Sequence, residues 1–505
     1  MVAVKEDPQR EAIGFLQTQA RERIDTHAAI VFLAPDRVYK LKRAVRFSYL
    51  DYSTLEQRER ACRAELALNR RTVQDLYLGV RALTRASDGT IAFDGAGEVV
   101  DWVIEMRRFD QTLLFDRMAE RGELTAALME SLGAEIAAFH AAAEVTPGRG
   151  GHASLKLEID GNELNLGRTP RIFPSEVCAS LVRRWREELA EHAELLDRRD
   201  RTGHVRRCHG DLHLRNIVLW HGRPALFDCI EFSEHLSCID VLYDLAFLLM
   251  DLEHRGLRPS ANVVFNAYLD RADEADGLAA LPLMMSLRAA IRAHTGVAAA
   301  HAQPSSERRE AMADEARAYL DLAAGLLRRP PPVLVAIGGV SGTGKSTLAR
   351  ALSPVCGIAP GARILHTDAL RKRLFGVEPA QRLDVRAYTM EVNLSVYRRQ
   401  REAAAQALRG GYSVIADGVF GRAEERAAIA AVAQELGVPF KGLWLTAPVD
   451  VLRGRILERR GDMSDATVDV LLEQLKRDPG DVDWKRIDAG GSVAATLERA
   501  RAALA

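Results

Sequence analysis

One short segment, Gly-Gly-Val-Ser-Gly-Thr-Gly-Lys-Ser-Thr at residues 338–347, limits the fold of this chain more than any other feature. It follows the apolar run 333–337, which predicts a buried strand, and it precedes residues 348–352, which predict a helix. Residues 339–347 match the pattern GxxxxGK[ST], in which backbone N–H groups curl around phosphate oxygens. The segment therefore predicts the strand–loop–helix unit of an α/β P-loop domain with a parallel sheet.

The loop also predicts which groups contact a nucleotide. Lys345 is expected to reach the β- and γ-phosphates, and the Ser346 hydroxyl is expected to bind Mg²⁺. The other loop residues expected to bind nucleotide are Gly339, Ser341, Gly342, Thr343, Gly344 and Thr347. ATP and Mg²⁺ are the cofactors that this pattern implies.

Charged residues follow the next strands of the predicted sheet. Asp368 and Asp417 each end a strand-like run, and carboxylates at the ends of parallel strands point into the ligand crevice. We predict that Asp368 accepts a proton from a substrate hydroxyl and that Asp417 orders Mg²⁺ or the substrate. Arg455 and Arg459, four residues apart on one helical face, can close over ATP phosphates. The alternatives are helix caps for the aspartates and a solvated face for the arginines.

A second constellation lies earlier in the chain, at His209-Gly-Asp-Leu-His-Leu-Arg-Asn216. An aspartate, an asparagine five residues later and an aspartate after the next hairpin form the arrangement of a kinase catalytic loop. Asp211 is expected to orient and deprotonate an acceptor hydroxyl, and Asn216 and Asp228 are expected to hold Mg²⁺. The predicted hairpin has strands at 217–220 and 225–227 and a turn at 221–224, which returns Asp228 to Asn216.

This second motif resembles the aminoglycoside phosphotransferase and choline kinase family, whose signature is HGDLHxxN. The resemblance implies a phosphate-binding lysine on an N-terminal strand, and Lys40 and Lys42 both lie on the same strand face. The spacing favours Lys40 without excluding Lys42, and Glu65 is the expected ion-pair partner. The pair Glu105-Met106 resembles the adenine-contacting hinge. In one departure from the family, residues 26–29 occupy the place of its glycine-rich loop.

The C-terminal motifs resemble the small P-loop kinases, a group that includes gluconate kinase, polynucleotide kinase, chloramphenicol phosphotransferase and zeta-toxin-like kinases. The resemblance covers about residues 333–485 and rests on GGVSGTGKST, HTDALRKRLFG, VIADGVF and the arginine-rich helix. It implies that Asp368 activates the acceptor hydroxyl and that Arg371 binds substrate. It implies a reaction type and leaves the acceptor open.

A proline-rich connector, Arg-Arg-Pro-Pro-Pro at 328–332, divides the two regions. Proline removes backbone donors and fixes φ, so this stretch is expected to be extended. We predict an α+β kinase-like domain at 1–325, a linker at 326–332 and the P-loop domain at 333–505. The chain thus resembles bacterial proteins that join an aminoglycoside phosphotransferase-like domain to an ATP-binding kinase. Residues 333–505 are expected to fold and to bind ATP alone, because an extended connector carries few packed contacts.

Composition narrows the partners. The chain has 505 residues with 48% hydrophobic residues and a formal net charge of −1, which fits several cores and argues against nucleic acid as a partner. The expected partners are small hydroxylated acceptors. Arg288 and Arg292, on one helical face, could hold an anionic acceptor, or they could form a surface ion-pair stripe.

The cysteine spacing, the N-terminal residues and the length of the apolar runs predict where the protein is located. The six cysteines form no CxxC pair and favour reduced thiols, the N-terminus has no apolar signal core, and the apolar runs are too short to span a bilayer. We therefore expect a cytoplasmic protein that does not interact with membranes.

The leading hypothesis is a bifunctional ATP-dependent phosphotransferase with one ATP·Mg²⁺ site in each domain, acting on hydroxyl groups of small molecules. One alternative is a regulatory protein in which one kinase-like domain binds nucleotide without turnover. Another is a C-terminal kinase of the toxin or polynucleotide type.

Overall fold

The computed structural model describes residues 8–47, 50–301, 305–377, 381–458 and 465–504. The chain divides into two units. Unit 1 contains Met1–Leu157 and Ala193–Asp251, and unit 2 contains Glu158–His192 and Leu252–Ala505. Each unit is described by itself below.

An antiparallel six-stranded sheet forms the N-terminal part of unit 1, in the order β1-β2-β3-β8-β6-β7. Its strands are β1 Glu22–Asp25, β2 Ala29–Leu33, β3 Arg37–Lys42, β6 Tyr77–Arg85, β7 Ile91–Phe93 and β8 Glu98–Arg107, and the short strands β4 Arg46–Phe47 and β5 Leu50–Asp51 pair with each other. Strands β2 and β3 form an antiparallel hairpin, with Leu33 opposite Val38. Phe32 and Leu41 pack in one buried cluster and Val38 and Ile104 in another, so the sheet is covered on both faces.

Helices make up most of the remaining N-terminal chain, as the sequence predicts. They are α1 Arg10–Gln19, α2 Leu55–Asn69, α3 Phe115–Glu120, α4 Ala126–Ala142, α5 Gly151–Gly167, α6 Ser175–Arg201, α7 Glu234–Ser237 and α8 Val241–His254. Helix α2 begins with a capping box, in which the Thr54 side chain accepts from the Gln57 N–H and the Gln57 side chain accepts from the Thr54 N–H. This cap fixes the start of the helix that carries Glu65.

Two short strand pairs frame the predicted catalytic loop in unit 1. Strand β9 Val205–Arg207 pairs with β12 Cys238–Asp240, and β10 Ile217–Trp220 pairs with β11 Arg223–Leu226. The β10–β11 turn is shorter than predicted, because it contains only His221 and Gly222, both with positive φ. Pro224 is a strand residue opposite Leu219, and a two-stranded ribbon tolerates it because every strand there is an edge strand.

A parallel five-stranded sheet forms the C-terminal part of unit 2, in the order β14-β15-β13-β16-β17. Its strands are β13 Leu334–Gly338, β14 Arg363–His366, β15 Val414–Asp417, β16 Phe440–Thr446 and β17 Lys485–Asp488. All four pairings are parallel, which confirms the predicted α/β fold. Val335, Ile364 and Ile415 of three neighbouring strands pack with Leu348 and Leu352 in the core of this domain.

The helices of unit 2 lie before, between and after these strands. They are α9 Arg258–Leu269, α10 Leu281–His301, α11 Ser306–Leu326, α12 Lys345–Leu352, α13 Thr367–Leu374, α14 Met390–Arg409, α15 Ala423–Leu436, α16 Val449–Glu458, α17 Val468–Leu475 and α18 Val493–Leu504. Among the residues that the structure describes, no helix has both the length and the apolar character needed to cross a membrane.

Helix α9 covers the outer edge of the parallel sheet. The Asn266 side chain accepts from the backbone N–H of Ile364 at 2.8 Å and donates to the Ala362 carbonyl at 3.2 Å. Asp270 forms an ion pair with Arg363 at 2.6 Å. Edge strands present unpaired backbone groups, and here a buried asparagine occupies those of β14.

The proline-rich connector also makes contacts within unit 2. Arg329 donates to Glu188 at 3.2 Å and to the Ala279 carbonyl at 3.1 Å. Unit 2 therefore includes helices that precede the connector as well as the P-loop domain. The domain boundary near residue 330 stays a prediction about independent folding.

Candidate active sites

The predicted lysine of the kinase-like domain lies between two carboxylates in unit 1. Lys40 on β3 contacts Glu65 of α2, with 2.8 Å between Lys40 Nζ and Glu65 Oε1, and it also contacts Asp228. Burial alone would lower the pKa of Lys40, but Asp228 and Glu65 outweigh it and raise the pKa. Tertiary structure thus brings together three of the predicted site residues.

The structure separates Lys42 from Lys40. Lys42 contacts Glu65 and Glu231, and the Tyr52 hydroxyl donates to the same Glu231. Its side chain is 4% exposed, against 15% for Lys40. Lys42 therefore belongs to a buried ion network, whereas Lys40 lies beside the predicted metal-binding Asp228.

The catalytic-loop motif places its polar groups around one carboxylate. Asn216 donates from Nδ2 to Asp211 Oδ2 at 3.0 Å, and His213 Nε2 lies 3.3 Å from the same oxygen. The Phe227 N–H donates to the Asn216 carbonyl at 3.0 Å, which places Asp228 close to Asn216. Burial would raise the pKa of Asp228, but the Lys40 ammonium outweighs it and lowers the pKa.

Two buried carboxylates on α8 hold this loop in place. Asp244 accepts from the N–H groups of His209 at 3.0 Å and Gly210 at 2.8 Å, and Asp251 accepts from the Leu214 N–H at 3.0 Å. Charge-assisted hydrogen bonds of this kind are stronger than neutral ones. Asp244 therefore holds the backbone of the loop just before Asp211.

The predicted hinge residues lie inside β8. The Met106 side chain is buried in the core, and Glu105 forms ion pairs with Arg37 and Arg81. In place of a glycine-rich loop, β1 and β2 are joined by a tight turn in which the Thr26 hydroxyl accepts from the Ala29 N–H at 2.9 Å. Nucleotide contact by Glu105 and Met106 stays a prediction.

The two arginines proposed for an anionic acceptor lie on α10 of unit 2. Arg288 is only 4% exposed, and the Arg292 guanidinium lies 5.7 Å from the centre of the Tyr319 ring. A solvent-facing ion-pair stripe is therefore wrong for Arg288. Acceptor binding by either residue stays a prediction.

The phosphate loop connects β13 to α12 as predicted. Gly339 and Gly342 have φ of +137° and +88°, which few other residues adopt. A Cβ at these positions would lie 2.6 Å from the Leu445 carbonyl oxygen and 2.9 Å from that of Leu452. Both glycines are required by backbone conformation and by space.

Protein groups contact the loop's phosphate-binding atoms in this structure. Lys345 Nζ donates to the Val340 carbonyl at 3.1 Å, and the Ser341 N–H donates to the Gln474 side chain at 2.8 Å. Sequence reasoning missed Gln474, since nothing in its position relative to the motif indicated that α17 contacts the loop.

A hard-oxygen pair lies at the start of α12. The Ser346 hydroxyl donates to Asp417 Oδ2 at 2.6 Å, and His366 Nδ1 lies 2.7 Å from the same oxygen. Burial would raise the pKa of Asp417, but the hydrogen bond from His366 and nearby charges lower it. An ionised carboxylate beside a hydroxyl is a donor set that suits Mg²⁺, so Ser346 and Asp417 fit the predicted metal.

Neither predicted aspartate is the N-cap of a helix. The N-cap of α13 is His366, and Asp368 lies in the first turn of that helix. Asp417 ends β15, and the next helix, α15, has Arg422 as its N-cap. The alternative of N-capping is therefore wrong for both, although Asp368 in a first turn still interacts favourably with the helix dipole.

A buried arginine, Arg371, lies one helical turn after Asp368 on α13. Arg371 is 6% exposed, donates to the Ala387 carbonyl at 2.8 Å and lies with its guanidinium 4.8 Å from the centre of the Tyr388 ring. Burial, a hydrogen bond to Asp465 and the charge of Asp368 raise the pKa of Tyr388. Arg371 and Tyr388 thus lie near Asp368, and acceptor binding by Arg371 stays a prediction.

The predicted arginine pair is described in part. Arg455 Nη1 lies 4.0 Å from the position of a Cβ on Gly344, and Nη2 donates to the Gly491 carbonyl at 3.0 Å. Arg455 is thus adjacent to the phosphate loop. Arg459 lies outside the described residues.

Fold and site geometry together define a protein of kinase type with two phosphotransferase-like regions. Residues 105–281 match the family described as phosphotransferase enzyme family, and residues 334–478 match the one described as AAA domain. The chain is 31% identical over 480 residues to the uncharacterized protein Rv2004c of Mycobacterium tuberculosis, which covers 92% of each chain. The chain belongs to the same family as Rv2004c. The predicted order, a phosphotransferase-like domain followed by a P-loop domain, is confirmed.

Other similarities cover single regions. An adenylyl-sulfate kinase of Myxococcus xanthus is 33% identical over 117 residues, which is 23% of this chain and 59% of that protein. A gluconokinase structure from Sinorhizobium meliloti is 24% identical and covers 35% of this chain and 93% of its own, with a TM-score of 0.26. A choline/ethanolamine kinase family structure from Mesorhizobium loti is 15% identical and covers 63% of this chain and 96% of its own, with a TM-score of 0.40.

Proposed function

We propose that the chain is a bifunctional ATP-dependent phosphotransferase that transfers the γ-phosphoryl group of ATP to hydroxyl groups of small molecules, with one ATP·Mg²⁺ site in each unit. The observation that carries the proposal is that each unit combines a lysine for phosphates, hard-oxygen ligands for a metal and a carboxylate for an acceptor. A cytoplasmic location is part of the proposal.

In unit 1, Lys40 would bind the ATP phosphates, and Glu65 would keep the ammonium in place. Asn216 and Asp228 would hold Mg²⁺, which supplies charge neutralisation when it is bound. Asp211, whose Oδ2 accepts a hydrogen bond from Asn216, would take the acceptor proton. The acceptor oxygen would then bond to the γ-phosphorus as the bond to ADP breaks.

In unit 2, the loop N–H groups and Lys345 would bind the phosphates, with Arg455 beside them. Ser346 and Asp417 would hold Mg²⁺. Asp368 would take the acceptor proton, and Arg371 would orient an acceptor that carries negative charge. The adenylyl-sulfate kinase match supports this assignment, because it points to a kinase rather than to another kind of nucleotide-binding protein.

The test uses the full chain, a library of small hydroxylated metabolites and release of ADP as the measurement. Asp211→Asn should abolish one set of acceptor-dependent reactions and Lys345→Ala another, and the double variant should lose both. If only Lys345→Ala changes any reaction, unit 1 is a silent nucleotide-binding region. If single-stranded nucleic acid, and none of the small molecules, supports the ADP release that Lys345→Ala removes, the polynucleotide-kinase alternative replaces the small-molecule assignment for unit 2.

A further inference from the structure

We propose that His366 is a positioning residue that aligns Asp417 for the metal ion at the phosphate loop. The proposal rests on the proposed nucleotide-binding function of that loop. It assigns a role to a residue that neither the phosphate-loop pattern nor the kinase resemblance singled out.

The strand register places the two side chains next to each other. His366 is the last residue of β14 and Asp417 is the last residue of β15, and the two are register partners in a parallel pair. His366 Nδ1 lies 2.7 Å from Asp417 Oδ2, and the two side chains are 9% and 5% exposed. An ionised carboxylate only accepts hydrogen bonds, so Nδ1 carries the proton in this contact.

Two donors share one oxygen of Asp417. The Ser346 hydroxyl and His366 Nδ1 both donate to Oδ2, and together they fix the plane of the carboxylate. Ser346 donates its proton in this contact and keeps its lone pairs, so the hydroxyl can bind Mg²⁺ with the hydrogen bond intact. The Asp417 carboxylate would then hold the ion or one of its waters.

A buried glutamine holds the two strand ends at the required spacing. Gln400 is fully buried and donates from Nε2 to the Leu365 carbonyl at 2.7 Å and to the Asp417 carbonyl at 3.0 Å. The backbones beside His366 and Asp417 are therefore tied to the same side chain. This restraint limits how far the imidazole can move from the carboxylate.

A positioning role and a purely structural role predict different results. Residues that orient a metal ligand change metal affinity by about 10–100-fold when they are removed. If His366 only fills space, its replacement would lower the melting temperature and leave the Mg²⁺ requirement of nucleotide binding unchanged. The Mg²⁺ dependence of ATP binding is therefore the decisive measurement.

The experiment uses the full chain with Asp228→Ala, which is expected to weaken Mg·ATP binding in unit 1, and measures binding of a fluorescent ATP analogue across a Mg²⁺ titration. His366→Leu should raise the Mg²⁺ concentration for half-maximal binding by about 10–100-fold. Binding without Mg²⁺ should change little. His366→Asn, which places an amide N–H near the position of Nδ1, should recover most of the loss. The melting temperature of each variant checks the fold.

The inference is overturned if His366→Leu keeps the parent's Mg²⁺ dependence, whatever its melting temperature, or if His366→Asn is as impaired as His366→Leu. Should His366→Leu not fold, His366→Ala is measured in its place, because a cavity avoids the clash of a side chain of different shape. Lys345→Ala in the same background separates the two proposals. If it still binds the analogue at this site, the proposed function of the loop fails; if it loses binding while His366→Leu is normal, only the role of His366 fails.

Discussion

The kinase-type cleft of unit 1 is the group formed by Lys40, Lys42, Glu65, Asp211, Asn216, Asp228 and Glu231. Its contacting residues and those of the phosphate loop in unit 2 are separated by different distances along the chain. Lys40 contacts Glu65, 25 residues away, and Asp228, 188 residues away. The groups of the loop that are proposed to bind phosphate come from one continuous segment, and Ser346 contacts Asp417 from 71 residues away. The proposed phosphate contacts of the loop are therefore mostly local, whereas the cleft depends on tertiary assembly.

The two regions also differ in the contacts that their lysines make with other protein groups. In the cleft, Lys40 contacts two carboxylates and Lys42 contacts two, with Glu65 shared between them. In the loop, Lys345 contacts a backbone carbonyl. Buried charges depend on their partners, so removal of the shared Glu65 carboxylate is expected to lower stability, while a change at Lys345 is expected to alter mainly binding.

The largest expected effect concerns Asp211, the carboxylate of the cleft that is proposed to take the proton of the acceptor hydroxyl. Asp211→Asn keeps shape but removes the base, so transfer in unit 1 should fall by about 10²–10⁴-fold with ATP affinity retained. Asp228→Ala should instead weaken Mg·ATP binding itself. Steady-state ADP release and equilibrium ATP binding on both variants make the measurement. Small and equal effects from the two would indicate that unit 1 does not catalyse transfer.

The same conservative change in unit 2 tests whether the loop region uses its acceptor carboxylate in the same way. Asp368→Asn should lower transfer by about 10²–10⁴-fold and leave nucleotide affinity nearly unchanged. If Asp368 only interacts with the helix dipole, the variant should lose about 0.3–1 kcal/mol of stability with turnover unchanged. Melting temperature and acceptor-dependent ADP release on the same sample decide between these roles.

A third variant tests the dependence of the cleft on buried charge. Glu65→Gln leaves Lys40 and Lys42 with one carboxylate partner fewer, and removing one member of a buried ion pair costs about 3–5 kcal/mol. Thermal and denaturant unfolding of the full chain should show a loss in the transition that reports on unit 1. Glu59→Gln is the matched control, since Glu59 lies on the same helix in an exposed pair with Arg63. A loss of that pair should cost at most about 1 kcal/mol.

Comparable stability of Glu65→Gln and Glu59→Gln would contradict the expectation that the cleft of unit 1 depends on its buried charges. It would mean that the buried lysines of the cleft are as tolerant of change as the surface of the same helix.

The smallest expected effect concerns the sheet edge of unit 2. Asn266→Ala removes the acceptor for the Ile364 N–H, and a buried unsatisfied donor costs about 1–3 kcal/mol. Asn165→Ala, which removes a hydrogen bond to Arg168, is the control and should be nearly neutral. Unfolding of the full chain measures both.

The same contacts lead us to expect that a fragment of residues 333–505 is less stable than those residues in the whole chain. This expectation differs from independent folding, because helix α9 and its Asn266 side chain are absent from the fragment. A fragment that melts at the temperature of the corresponding transition in the full chain would restore the simple two-domain picture.

Much of the phosphate loop could be predicted from the sequence because its chemistry is local. Gly339 and Gly342 have positive φ, Lys345 and Ser346 follow at fixed spacing, and the strand before the loop is short and apolar. The partners Gln474 and His366 could not be predicted in this way. Each comes from a separate element, and no regular spacing relates it to the motif.

The cleft was predictable in its residue types and less so in its contacts. The motif from His209 to Asn216 identified the loop, but the roles of Lys40 and Lys42 were left open because both lie on one face of β3. Tertiary structure separates them, since Asp228 contacts the first and Glu231 the second. Proline favours turns, so the sequence predicts a turn at 221–224, but Pro224 is an edge-strand residue and the turn contains only His221 and Gly222.

The two kinase-type motifs, their order and the classes of fold that hold them follow from the amino-acid sequence, because backbone conformation and short-range spacing encode those features. Which charges meet follows from folding in three dimensions: the pairing of Lys40 with Asp228, the hydrogen bond of His366 to Asp417 and the covering of β14 by Asn266. The physical reason is that buried ions and buried hydrogen-bond donors need partners, and those partners come from residues that folding, not spacing along the chain, brings within about 3 Å.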